Sequence, residues 1–230
     1  MKYYIGAYYL IKLRRLEYGK IKNSTIHTCS RCINDSYFDS WSISWSNDAQ
    51  SSLSEIKSNF NLTDNKISDI QNWADRKFED KRIGWINTFS DLETLEEYKN
   101  KFFSEDKDAL VMSINFPEEE RKEFLQVFTK ESDYGEIGIS INLESPKLEN
   151  QDEEEIGYDL IGIEMGGDFH SFHCHDISED LIEKFGIKLN EFGLIENTNN
   201  WKEIVAYMND EKNEFEPVPW FFVKVKKVKQ

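Results

Sequence analysis

Every histidine and cysteine of this 230-residue chain falls in one of two short stretches. "STIHTCSRCIND" holds His27, Cys29 and Cys32, and "GGDFHSFHCHDISEDL" holds His170, His173, Cys174 and His175. Thiolates and imidazoles are the ligands that zinc takes in tetrahedral sets of four. Cys29 and Cys32 form a C-x2-C pair, and its complement is His170 with His173, or Cys174 with His175. The first pairing, Cys29, Cys32, His170 and His173, defines one reading of the chain, a zinc-binding protein or metal-dependent enzyme. The competing reading is packing. Phe169, Phe172 and Cys174 then enter the core, and the histidines sit in a partly exposed turn where nearby carboxylates raise their pKa values.

Other chemistries find less support. A redox-active C-x2-C lies between a strand and a helix, whereas "TCSRCIND" has the Ser, Asn and Asp content of a loop. Cys174 between two histidines resembles a nucleophile with its base, but sequence neighbours on a strand point to opposite faces. "GGD" at 166–168 lacks the lysine and Ser/Thr of a Walker loop and the G-x-G-x-x-G pattern, and reads as a tight turn. No set of nucleophile, base and oxyanion donors can be assembled, so the expectation is a protein that is not an enzyme and needs no cofactor.

The elements that must position these residues follow from pattern. "YYIGAYYLIK" at 3–12 is aromatic and β-branched, a strand with Gly6 as a bulge or close-packing point. "YFDSWSISWSND" alternates Trp41, Ile43 and Trp45 with polar residues, a short half-buried strand. Residues 50–59 and 64–79 predict helices, the second from Ile67, Ile70, Trp73, Ala74 and Phe78. In "SDLETLEEYKNKFF", Ser90 with Glu93 predicts a capping box. "DALVMSINF" predicts a buried strand, "PEEERKEFLQVFTK" a helix with Pro117 in its first turn, and "EIGISINL" another strand. "GYDLIGIEM" is a strand, and Ser178 and Gly186 bracket the helix "EDLIEKF". "TNNWKEIVAYMND" is a helix. "PVPWFFVKVKKVKQ" alternates valine with lysine, as an edge strand does. The fold class is therefore α+β, with a mixed or mainly antiparallel sheet flanked by helices. The acidic loop near residue 150 divides it into subdomains 1–150 and 151–230, unless 1–230 is one domain.

Charge is the second organising feature. The formal net charge is −16, and residues 144–183 hold thirteen acids against the single base Lys147. The termini are the reverse, with Lys2, Lys12, Arg14 and Arg15 at one end and Lys224, Lys226, Lys227 and Lys229 at the other. Such a balance argues against a nucleic-acid partner, since phosphates are repelled at long range. No stretch approaches the roughly 18 apolar residues that span a bilayer, and no secretory signal opens the chain, so a reduced, cytoplasmic protein is expected. The acidic zone reads either as a solvated face or as a docking surface for a basic protein. The docking reading places Asp152, Glu153, Glu154, Glu155, Asp159, Asp168, Asp176, Glu179 and Asp180 on that surface, with Phe169 and Phe172 as anchors.

The opening "YYIGAYY", followed about 35 residues on by "FDSWSISWSNDA", resembles the start of bacterial polymorphic-toxin and contact-dependent-inhibition immunity proteins. "GISINL" at 138–143 is similar to a later core strand in such proteins. "FHSFHCHDISEDLIEKFGIKLNEFGLIEN" is similar to a theme of small immunity-like proteins, an "SF.C" segment, a short helix and an "LN.(F/Y)GL" turn. The chain differs in carrying the basic "LRRLEYGKIKNS" after its first strand. The resemblance implies a protein that binds and neutralises one cognate toxin catalytic domain, a cationic nuclease being the type that fits the charge. It implies no activity of the chain's own.

Overall fold

A computed structural model of the chain describes residues 1–17, 21–37, 54, 57–84, 88–128, 138–163, 169–174, 177–197, 199–213 and 215–229. Its strands are β1 (Tyr3–Lys12), β2 (Asp35–Ser36), β3 (Ile83–Gly84), β4 (Thr88–Phe89), β5 (Leu110–Pro117), β6 (Glu154–Ile163), β7 (Phe169–Ser171) and β8 (Trp220–Lys227). Its helices are α1 (Asp64–Glu79), α2 (Leu92–Phe102), α3 (Glu118–Val127), α4 (Gly138–Glu144), α5 (Ile177–Phe185) and α6 (Trp201–Met208). The strands form one eight-stranded sheet in the order β3-β4-β1-β5-β8-β6-β7, with β2 also on β1 and every pairing antiparallel. The α+β class expected from the sequence is the one observed. The sheet runs unbroken across residue 150, because β8 lies between β5 and β6.

Alternation along the strands assigns the layers. Ala7, Tyr9 and Ile11 of β1, Met112, Ile114 and Phe116 of β5, and Phe221, Val223 and Val225 of β8 face one side. Phe124 of α3 and Ile139 and Leu143 of α4 close over them. Phe116, Phe124 and Phe221 meet there with ring centroids 5.2 to 6.2 Å apart, the range in which tilted aromatic pairs attract. On the other side two clusters flank a polar strip. Tyr8, Leu10 and Val111 pack under α1 and α2, while Leu160, Trp220 and Phe222 pack under α5 and α6. Ser113, Asn115, Lys224 and Lys226 lie between them, all buried.

Buried lysines need partners, because an unpaired ammonium out of water costs several kcal/mol, roughly. The acidic segment supplies them. Lys224 reaches Glu149 at 3.1 Å and Glu155 at 3.0 Å, and Lys226 reaches Glu149 at 3.4 Å and the carbonyl of Asn150. Glu153 accepts from the Ser113 hydroxyl at 2.6 Å and from Tyr8 at 3.3 Å. The segment is tied to β1 as well, with Ile5 N donating to Lys147 O and Glu149 N to Tyr3 O. The acidic loop is thus the cover of a lysine strip.

Several local expectations change. β8 is central, not an edge, since its lysines are satisfied by acids and not by solvent. "GISINL" is helix α4: Ile139 and Leu143, four apart, face the core, and the Asn142 amide donates to Gly6 O and Ser90 O. The cap of α2 is Asp91, which accepts from Thr94 N at 2.8 Å, one residue after the expected Ser90. Ser178 lies inside α5, which starts at Ile177, while Gly186 does end it, with φ +62°. Gly6 marks a register shift in β1, and a Cβ there would stand 2.6 Å from the Phe116 ring. Trp41, Ile43, Trp45 and the glycines of "GGD" lie outside the described residues.

Candidate functional site

The two histidine–cysteine stretches meet. Residues 26–34 form a loop bound from within by Asn34, whose side-chain amide donates to Ile26 O at 2.8 Å and Thr28 O at 2.7 Å and whose oxygen accepts from Arg14 N at 3.0 Å. Ser30 accepts from Ile33 N and Asn34 N through its carbonyl, and from Cys32 N through its hydroxyl. The loop is joined to the far half of the sheet by Asp159 of β6. Its carboxyl accepts from the Thr28 hydroxyl at 2.5 Å and from the Ser171 hydroxyl of β7 at 2.7 Å. This bridge spans 131 residues and is fully buried. Burial pushes the Asp159 carboxyl up to about 7, against the opposing hydrogen bonds from Thr28 and Ser171.

Held this way, Cys32 stands over β7. Its Sγ lies 3.3 Å from Nδ1 of His170. Cys174, in the turn after β7, completes a triangle in which Cys32 Sγ, a ring nitrogen of His170 and Cys174 Sγ all lie within 4.8 Å of one another. Cys32 is exposed while His170 and Cys174 are buried, so the triangle opens to solvent along one side. The Cys32 thiol is held well below the usual thiol range by hydrogen bonds from Cys174 and His170. The Cys174 thiol is pushed up by its hydrogen bond to Cys32 and by burial. Ser30 Oγ also contacts Cys174 Sγ at 3.7 Å. Such a triad can ligate a soft cation, present a thiolate beside an imidazole, or close a disulfide between Cys32 and Cys174.

Of the four metal ligands expected from spacing, two are here and two are not. Cys29 is packed in the core with Tyr9 and Phe169, and burial raises its thiol far above the usual value. His173 donates from Nε2 to Gly193 O at 2.6 Å, and burial lowers its pKa to about 4, opposite to the expected rise. Burial lowers His27 likewise. Cys174 takes the third corner, and His175 lies outside the described residues. The contact between Cys32 and His170 had no local signature, since 138 residues separate them.

The expected docking residues divide by burial. Asp152, Glu154 and Asp180 are exposed, Glu179 is half-buried, and Glu155 is exposed but paired with Lys224. Glu153, Asp159, Phe169 and Phe172 are interior, so they cannot touch a docked partner as placed, and the two phenylalanines are core residues and not anchors. Asp168 and Asp176 lie outside the described residues. Among the described residues, no helix is long and apolar enough to cross a membrane. Compared with protein-family models, with curated proteins and with solved structures, the chain matches none.

Proposed function

We propose that this chain is an immunity protein, which binds and neutralises a cognate bacterial toxin domain of cationic, nuclease-like character in the cytoplasm, without a reaction of its own. The observation that carries this reading is the segment 144–155. It is anchored to β1 by backbone hydrogen bonds, yet it leaves Asp152, Glu154 and the apolar Leu148, which is 59% exposed, open to solvent. An ordered segment that exposes both acids and an apolar side chain suits a basic partner, where charge sets the encounter rate and apolar contact sets residence time. The net charge of −16 extends the same field over the molecule, and the opening "YYIGAYY" supports the class.

The test is co-purification with a candidate toxin domain from a neighbouring gene, followed by reversal of the exposed acids. The triple change Asp152→Lys, Glu154→Lys and Asp180→Lys is expected to slow association by about tenfold or more at low salt, with the loss shrinking as salt is raised. Unchanged association at low salt would place docking elsewhere, and failure to co-purify would remove the immunity reading.

A further inference from the structure

We propose that Cys32, His170 and Cys174 form a site for one soft divalent cation of the zinc class, with solvent in the fourth position. The inference is independent of toxin binding. Its basis is convergence. Two sulfurs and one imidazole nitrogen from segments far apart in sequence point at a common centre, with all three within 4.8 Å of each other. In a tetrahedral zinc site, bonds of about 2.0–2.3 Å separate neighbouring ligand atoms by roughly 3.5–3.8 Å. The 3.3 Å between Cys32 Sγ and His170 Nδ1 is close to that separation, and the other two pairs, within 4.8 Å, need to close by about 1 Å at most.

The surroundings also suit the role. Two of the three ligands are buried, and the third is at the surface, which leaves an entry path and an open corner for water. The loop carrying Cys32 is fixed by the Asn34 and Ser30 hydrogen bonds and by the Thr28–Asp159–Ser171 bridge, so the triangle is held before any ion arrives. Pre-organised ligands of this kind lose little entropy on binding. Thiolate and imidazole donors without a carboxylate select zinc-like ions over magnesium or calcium. On binding, the thiols give up their protons to solvent and both sulfurs ligate as thiolates.

The experiment uses the reduced full-length protein and cobalt(II) as the spectroscopic probe, with zinc as competitor. We expect one equivalent of cobalt to bind with a near-ultraviolet thiolate-to-metal band and strong visible bands of tetrahedral type, both erased by one equivalent of zinc. Cys32→Ser, at the exposed corner, is expected to keep the fold and to weaken binding by at least about tenfold. Cys29→Ala, which alters only a core thiol, is expected to bind as the unaltered protein does. Absence of a thiolate band in the unaltered protein overturns the site. So does a Cys32→Ser protein that binds equally well, or binding that fails in a folded Cys29→Ala protein. Loss of two hydrogens to a Cys32–Cys174 disulfide with glutathione disulfide, in a protein whose reduced form takes no cobalt, would assign the cluster to thiol exchange instead.

Discussion

Asp159 is a buried acid that accepts from the hydroxyls of Thr28 and Ser171, and replacing it with asparagine isolates the cost of ionising it. Its folded pKa is about 7, against 3.8 for an ordinary aspartate. Between those values the folded carboxyl keeps a proton that the unfolded chain has lost. Folding therefore takes up a proton, and stability falls as pH rises through this window. At 1.36 kcal/mol for each unit, the full difference is about 4 kcal/mol. A chain of net charge −16 is best studied above its isoelectric region, so the practical range runs from about pH 5.5 to about pH 8. Over that range about 1.5 units remain below the folded value, or about 2 kcal/mol. Asparagine has the shape of the protonated acid. Its oxygen accepts from one hydroxyl, and its amide donates to the other once that hydroxyl rotates. Urea unfolding at each pH gives the stability of Asp159→Asn minus that of the unaltered protein. The difference should climb by about 2 kcal/mol toward high pH and then level off near pH 7, with unchanged m-values. All other titrating groups cancel in the subtraction. A flat difference across the range would refute the reasoning, because it would mean that the two hydroxyls outweigh burial and that Asp159 ionises at an ordinary pH.

Two further perturbations probe the frame that holds the site. Glu149→Ala leaves Lys226, 3% exposed, without its carboxylate, and should cost about 3–5 kcal/mol in urea unfolding; adding Lys226→Met should recover much of that loss, and no recovery would mean that the pair is not the cause. Gly157→Ala places a Cβ 2.7 Å from Leu194 Cβ at φ +140°, so a loss of about 2–3 kcal/mol is expected, and a variant as stable as the parent would show that the β6 bulge relaxes freely.

Much of the architecture was legible because its patterns are local. The aromatic run of β1, the apolar spacing of Ile67, Ile70, Trp73 and Ala74 in α1, and the buried run of β5 each name their element without help from the rest of the chain. The misreadings share one cause. "GISINL" satisfies period two and also places Ile139 and Leu143 one helical turn apart; the helix is chosen by contact with β1 and β4, which the segment itself does not encode. Alternating valine and lysine in β8 has the same appearance at an edge and in the middle of a sheet. The middle is possible only because Glu149 and Glu155 arrive from another part of the chain. The site was half legible for a similar reason. Spacing pointed to Cys32 and His170 but assigned them Cys29 and His173 as companions. β7 ends at Ser171, so strand parity does not govern which way His173 and Cys174 point.

Charge density along the sequence conceals three populations of acid with different work. Glu149 and Glu155 neutralise the lysines of β8. Glu153 and Asp159 are interior acceptors: Glu153 joins Tyr8 of β1 to Ser113 of β5, and Asp159 joins the Cys32 loop to β7. A third group, Asp152, Glu154 and Asp180 among the described residues, faces solvent. A docking field is made by the last group alone, since charges already paired or buried add little to the potential a partner meets. Reversing the interior acids would unfold the protein and imitate a loss of binding, whereas reversing the exposed ones tests binding with the fold intact. Asp159 belongs to the interior group: its carboxyl is taken up by the hydroxyls of Thr28 and Ser171, and so it holds the cysteine loop in place.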